Sequence, residues 1–284
     1  MVLPHSIDTK NPPAVVKAVK DAFTDIGSEA SHPLLERLFQ DVQEMFAGNY
    51  AGYQGIDMQY HNFQHTLEAT LCIVHILHGR GRTGVRPIMT ARTWELAVMG
   101  ALLHDTGYLK VNGDTSGTGA KYTYVHERRS CDFARDYLPR MGVTATEVED
   151  ICAAIICTGP RSKISQIAFR TEEGRHMAFA LLTADYLAQM SAPDYIAKLP
   201  GLYAEFQEAF EFEQMPMEKR PYHNLQQLLE KTPSFWSNLV RPMLDFEAGG
   251  VYRYLTTAGQ PNPYLQAVEA NMAEVHRLLQ AGEG

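Results

Sequence analysis

Apolar residues recur every three or four positions over most of the chain, a spacing that predicts helices near 13–25, 33–47, 62–79, 91–105, 126–139, 144–157, 173–191 and 193–212. Four more are predicted near 222–231, 233–246, 250–256 and 263–281. Local signals agree with these limits: Thr144 and Glu147 stand at capping-box spacing, and Pro139 and Gly142 close the helix before them. No alternating β-branched run flanks a two-residue glycine turn, so the expected fold class is all-α. One segment breaks the amphipathic rule. From Trp94 to Leu103 nearly every residue is apolar, which leaves no polar face for water and predicts a buried helix. That segment runs into His104-Asp105, in ALLHDTGY. An ionised aspartate there would lose its hydration at a cost of several kcal/mol unless something compensates. Either the helix surfaces at residue 104 and the pair is ordinary terminal polarity, or a divalent metal compensates, with the histidine as a second ligand.

Two further helices carry groups that could share such a site. His61 and His65, in YHNFQH, are four residues apart, so on a helix they differ by roughly 400° of rotation and about 6 Å of rise and can face one point. Alone, they read equally as a polar pair at a helix start. Asp185 lies within one helical turn of Leu181, Leu182, Ala188 and Gln189, a carboxylate on a mostly apolar face. A hydrogen-bonded core aspartate is the plain alternative. Aspartate is rarely buried without a partner, and three apolar helices each carrying His or Asp suggest a common one.

Composition narrows the function classes. With 284 residues and 45% apolar content, the chain can bury a sizeable core. Its expected organisation is one all-α domain over 1–284, with helical extensions over 1–57 and 191–284. A net charge of −8 argues against broad binding of nucleic acid or anionic lipid, so an anionic ligand must be met locally. Cys72, Cys131, Cys152 and Cys157 show no metal-binding spacing and read as reduced core thiols. The opening MVLPHSIDTKNPP lacks a charged segment followed by an apolar one, and no apolar run approaches the roughly 20 residues that span a bilayer. The expected location is the cytoplasm, without a membrane partner.

A His, then a His-Asp doublet, then a distant Asp, all on helices, resembles the HD superfamily of metal-dependent phosphohydrolases. The matching positions are His65, His104, Asp105 and Asp185, over roughly 58–190. The resemblance implies an HD-like helical bundle with added N- and C-terminal helices. It implies that these four residues hold a divalent cation (Mg, Mn, Fe, Co or Zn), one or two per chain. It also implies hydrolysis of a small phosphorylated metabolite, with a nucleotide as the expected class, by metal-activated water that Asp105 helps to orient. YHNFQH further resembles the Tyr-His-Asn-x-x-His motif of class I cyclic-nucleotide phosphodiesterases, in which the first His protonates the leaving oxygen. That role would fall to His61, the other role open to it being support of a ligand. The phosphodiesterase pattern has another His after the doublet, where this chain has Tyr108.

His126, in YVHERRS, stands where multi-metal HD proteins place a ligand for a second ion. Contact with a substrate phosphate and simple helix-start polarity are its other readings. Those proteins often add a further His after the next helix, where this chain has Cys157 and Thr158. Lys121, Arg128, Arg129 and Arg161 are the nearby basic residues. Lys121, Arg128 and Arg161 are the expected substrate contacts, Lys121 foremost because the Gly-rich stretch 109–123 could close over a ligand. Two other functions suit the same residues: an HD-fold di-iron oxygenase, and a non-catalytic HD module that binds a nucleotide for regulation.

Overall fold

The computed structural model describes residues 6–28, 32–256 and 259–282; residues 1–5 of the opening segment lie outside it. Among the described residues ten α-helices follow one another: α1 (Pro12–Asp25), α2 (Pro33–Ala47), α3 (Phe63–Thr83), α4 (Ala91–Leu103), α5 (His126–Tyr137), α6 (Ala145–Thr158), α7 (Glu172–Met190), α8 (Tyr195–Phe212), α9 (Leu225–Phe235) and α10 (Pro263–Gly282). The described residues hold no strand, only an isolated bridge between Tyr53 and Val111. The chain is all-helical, as the periodicity predicts. No described helix is long and apolar enough to cross a membrane.

Side-chain caps fix the starts of the helices around the site. Asn62 accepts from His65 N at the start of α3, Thr90 from Thr93 N at α4, and Thr171 from Gly174 N at α7. The expected capping box of Thr144 and Glu147 opens α6. Gly142, in the left-handed region at φ 78°, ends the turn before it.

The differences lie near the C-terminus. The helices expected at 222–231 and 233–246 form one helical run that widens into π-turns over 236–240 and 243–247. Pro233 and Pro242 interrupt its backbone donors, which forces the ladder to shift register. The helix expected at 250–256 is a 3-10 turn over 251–255.

α7 lies at the centre, with α3, α4 and α6 packed on it. It is buried without interruption from Met177 to Ala188, and α4 from Leu96 to Leu103. Helices apolar all round have to be enclosed, and this is how the fold encloses them. α5 packs on α6, where Cys131 Sγ and Cys152 Sγ approach each other's carbonyl oxygens at 3.4 and 3.6 Å. All four cysteines are free and buried, as expected.

Arg92 at the start of α4 grips Glu147 at the start of α6 through two bonds of 2.7 and 3.0 Å. Those bonds, with Thr144, hold the Glu147 carboxyl down at about 2, below the ordinary carboxylate value of 4.5. A depressed carboxylate stabilises the fold above its unfolded value, and that contribution disappears as pH falls through the folded one. Glu147→Gln should therefore lower stability at neutral pH by about 1–2 kcal/mol, allowing for solvent at Arg92. Thermal melts of the two proteins should converge between pH 4.5 and 2.

Candidate metal centre and cavity

α4 ends at Leu103, and the chain turns immediately through His104 and Asp105 into a 3-10 turn at Thr106–Tyr108. His104 Nδ1 donates to Ala101 O at 2.7 Å, which leaves Nε2 pointing away from its own helix. His65, from the first turn of α3, brings its Nε2 to 3.3 Å from His104 Nε2, 3.4 Å from Asp105 Oδ2 and 3.1 Å from Asp185 Oδ1. Asp185 comes from the middle of α7. The ligand atoms of His65, His104 and Asp185 lie within 4.8 Å of one another, so these three can hold a metal ion. Asp105 flanks them, its Oδ2 3.3 Å from His104 Nε2. All four are buried, none more than 8% exposed.

The electrostatics of this cluster call for positive charge. Burial works against the charged form of Asp105, yet His104, His61 and His65 outweigh it and hold its carboxyl far below the usual range. Asp185 is lowered in the same way, against its burial, by bonds to His104 and His65. Burial opposes protonation of His104, but Asp105 and Asp185 raise it well above an ordinary histidine. Asp105 Oδ2 and His65 Nδ1 are buried and lack a hydrogen-bond partner. Two buried carboxylates facing two imidazole Nε2 atoms, with an orphaned carboxylate oxygen, form a donor set that fits a divalent cation.

His126 opens α5. Its Nδ1 faces Thr123 O at 2.9 Å, and its Nε2 lies 3.7 Å from the other oxygen of Asp105. Tyr108 stacks on both His126 and His61, its ring centroid 4.4 Å from the first and 4.9 Å from the second, and the two imidazoles lie 6.3 Å apart. Gly107 makes this approach possible, because a Cβ there would sit 1.9 Å from His126 O and 2.8 Å from Ser130 N. Gly107→Ala should displace the start of α5 and destabilise the protein by about 1–3 kcal/mol, read as a lower denaturation midpoint.

His61 Nδ1 lies 2.6 Å from Glu205 Oε2, and Glu205 Oε1 accepts from Tyr60 N at 2.7 Å. Burial lowers the proton affinity of His61, but the charge and hydrogen bond of Glu205, with Asp105 and Asp185, raise it overall. Glu205 was not anticipated from sequence. Its only signal is register: Gly201, Glu205 and Ala209 lie four apart on the buried face of α8, which places an acid on a packed stripe. Tyr60, whose hydroxyl donates to Gln189 Oε1 at 2.6 Å, joins the same network, and Gln189 Nε2 reaches Asp185 at 3.3 Å.

A cavity of about 650 Å³ opens beside these groups. His61, Asp105, His126 and Asp185 lie on it with Tyr108, and Tyr124, Tyr186, Phe206, Phe210, Tyr222 and Phe235 form much of its wall. Arg128 and Arg161 line it, as does Lys163. Thr158, standing where a further histidine ligand was sought, lines it too, whereas Cys157 does not. Lys121 does not line it. Its ammonium is buried, paired with Asp114 at 2.6 Å and bonded to Ser116 O and Oγ. The 109–123 stretch thus spends that cation on its own closure. It is also tied to α8, since Thr118 N and Oγ1 both donate to Glu208 at 2.6 Å. Arg129 likewise turns inward, bonding Gly107 O and Leu109 O.

Compared with protein-family models and with curated proteins, the chain matches none.

Proposed function

We propose that this protein is an HD-type, metal-dependent phosphohydrolase or phosphodiesterase. Its substrate is a small phosphorylated metabolite of the nucleotide class, hydrolysed in the cytoplasm. The observation that carries this reading is the convergence of His65, His104 and Asp185 beside an aromatic-walled cavity that His61 also lines. The reading treats the chain as one all-α domain with an HD-like core over about 58–190 and extensions on both sides. Four buried thiols without a disulfide suit a reducing compartment.

The ligands would be His65, His104, Asp105 and Asp185, with His126 beside the far oxygen of Asp105 for a second ion. A divalent cation bound there, whether Mg, Mn, Fe, Co or Zn, supplies Lewis-acid polarisation of a phosphoryl oxygen and a more acidic water. The protein's own groups do the rest. Asp105, beyond holding the cation, helps to orient the attacking water. His61, whose proton affinity Glu205 raises against the effect of burial, gives its proton to the leaving oxygen, which would otherwise depart as a poorly stabilised alkoxide. Glu205 fixes the ring so that Nε2, not Nδ1, is the free proton donor. Arg128 and Arg161 meet substrate charge.

The test is phosphoester hydrolysis by the purified chain with each metal in turn, against nucleotides, cyclic nucleotides and simple phosphoesters. Metal-dependent turnover, abolished by a chelator, is expected. No turnover with any metal across the panel would overturn the reading, and two irons per chain with oxygen consumption would replace it with an oxygenase.

A further inference from the structure

We infer that the cavity is built for a substrate with two anionic ends: a phosphoester at the metal-ligand floor, a planar aromatic body, and a second phosphate held at the rim. This rests on the phosphohydrolase reading for the identity of the first end, and deepens it by naming the substrate class as a nucleotide with a phosphate remote from the scissile one.

The first observation is a gradient of burial and charge. The floor groups Asp105 and Asp185 are buried, whereas Arg128, Arg161 and Lys163, which line the same cavity, are exposed. Arg128 stands in the first turn of α5, and Arg161 and Lys163 stand in the loop after α6. None of the three has a side-chain hydrogen bond or ion pair to the protein among the described residues, unlike Arg92, Arg129 and Lys121. Glu127 lines the cavity too, but it faces His126 at 3.6 Å and pairs with none of the three, so in a chain with a net charge of −8 these cations mark a place for an anion supplied from outside.

The second observation separates rim from floor. The Arg161 guanidinium lies 4.0 Å from the ring centroid of Tyr124, a contact that fixes its position. Tyr124 in turn stacks at 6.4 Å on Phe210, and Phe210 lies parallel to Phe206 at 6.1 Å. Arg161 is thus held on the aromatic wall, while Tyr108 stacks on both His61 and His126 beside Asp105. The aromatic wall suits a flat heterocycle, and 650 Å³ is in the range of pockets that enclose a whole small ligand.

The probes are adenosine 5′-monophosphate and adenosine 3′,5′-bisphosphate, titrated calorimetrically into the metal-loaded full chain, with phosphate release followed separately. The bisphosphate should bind about tenfold more tightly. The Lys163→Glu variant, which leaves Arg128 and Arg161 in place, should erase that advantage while changing monophosphate affinity by no more than about twofold. Lys163 is exposed, and an unchanged melting temperature will show that the variant folds. Equal affinity of the two ligands for the wild type would overturn the proposal. So would an equal loss for both in the variant, because Lys163 would then serve the scissile phosphate. Retained bisphosphate preference without any hydrolysis would instead sink the phosphohydrolase reading and leave the two-ended site standing.

Discussion

Replacing Asp105 with asparagine is expected to strip the protein of bound metal and lower turnover by a factor on the order of 10³ or more. The side chain keeps its size, so loss of the charge is what the experiment reads. Asp105 Oδ2 is buried, unpartnered and within 3.4 Å of two imidazole nitrogens, and an amide there offers a neutral oxygen or an N–H that repels a cation. Metal analysis after dialysis should show near-stoichiometric occupancy in the wild type and little in the variant. Thermal melts supply a second readout. Ligand that binds only the folded state raises the melting temperature with concentration, so the wild type should climb on metal addition and Asp105→Asn should not. A variant that retains metal and full activity would remove Asp105 from the site.

His61→Asn should behave differently, retaining metal while turnover falls roughly 10²–10⁴-fold on substrates with an alkoxide leaving group. The loss should shrink when the leaving group is p-nitrophenolate, which departs without a proton. A metal ligand would be needed equally for both substrates, so the contrast separates proton donation from coordination. Glu205→Gln should lose roughly ten- to a hundredfold with the same dependence on leaving group, because the amide can still hold Nδ1 but no longer favours the protonated ring. Equal losses on both substrates would assign His61 to ligand support.

Much of this arrangement is legible in sequence because it follows local rules. Helices α3, α4 and α7 declare themselves by period and caps, and His104-Asp105 by standing at the end of a segment with no face for water. What is not legible depends on pairing at a distance. Glu205 is 144 positions from His61, and its register with Gly201 and Ala209 marks it as buried without showing which group it meets. Tyr108 reads as a missing histidine, whereas in three dimensions its ring stacks on both His61 and His126. Lys121 fails for the opposite reason. Its partner Asp114 is only seven residues away, but a Gly-rich stretch gives no hint that it folds back on itself.

The division of the cavity between two stretches of chain has a consequence for how such a protein can diversify. Every candidate metal ligand precedes residue 190, while Phe206, Phe210, Tyr222 and Phe235 of the cavity wall follow it. The apolar part of the wall is therefore encoded largely apart from the chemistry, whereas the cations Arg128, Arg161 and Lys163 share the ligands' stretch. Substitutions in α8, α9 and the segment between them can redraw the shape offered to a substrate while the ligand geometry stays intact. Glu205 is the exception, one letter of the chemistry written in the part of the chain that is otherwise free to vary.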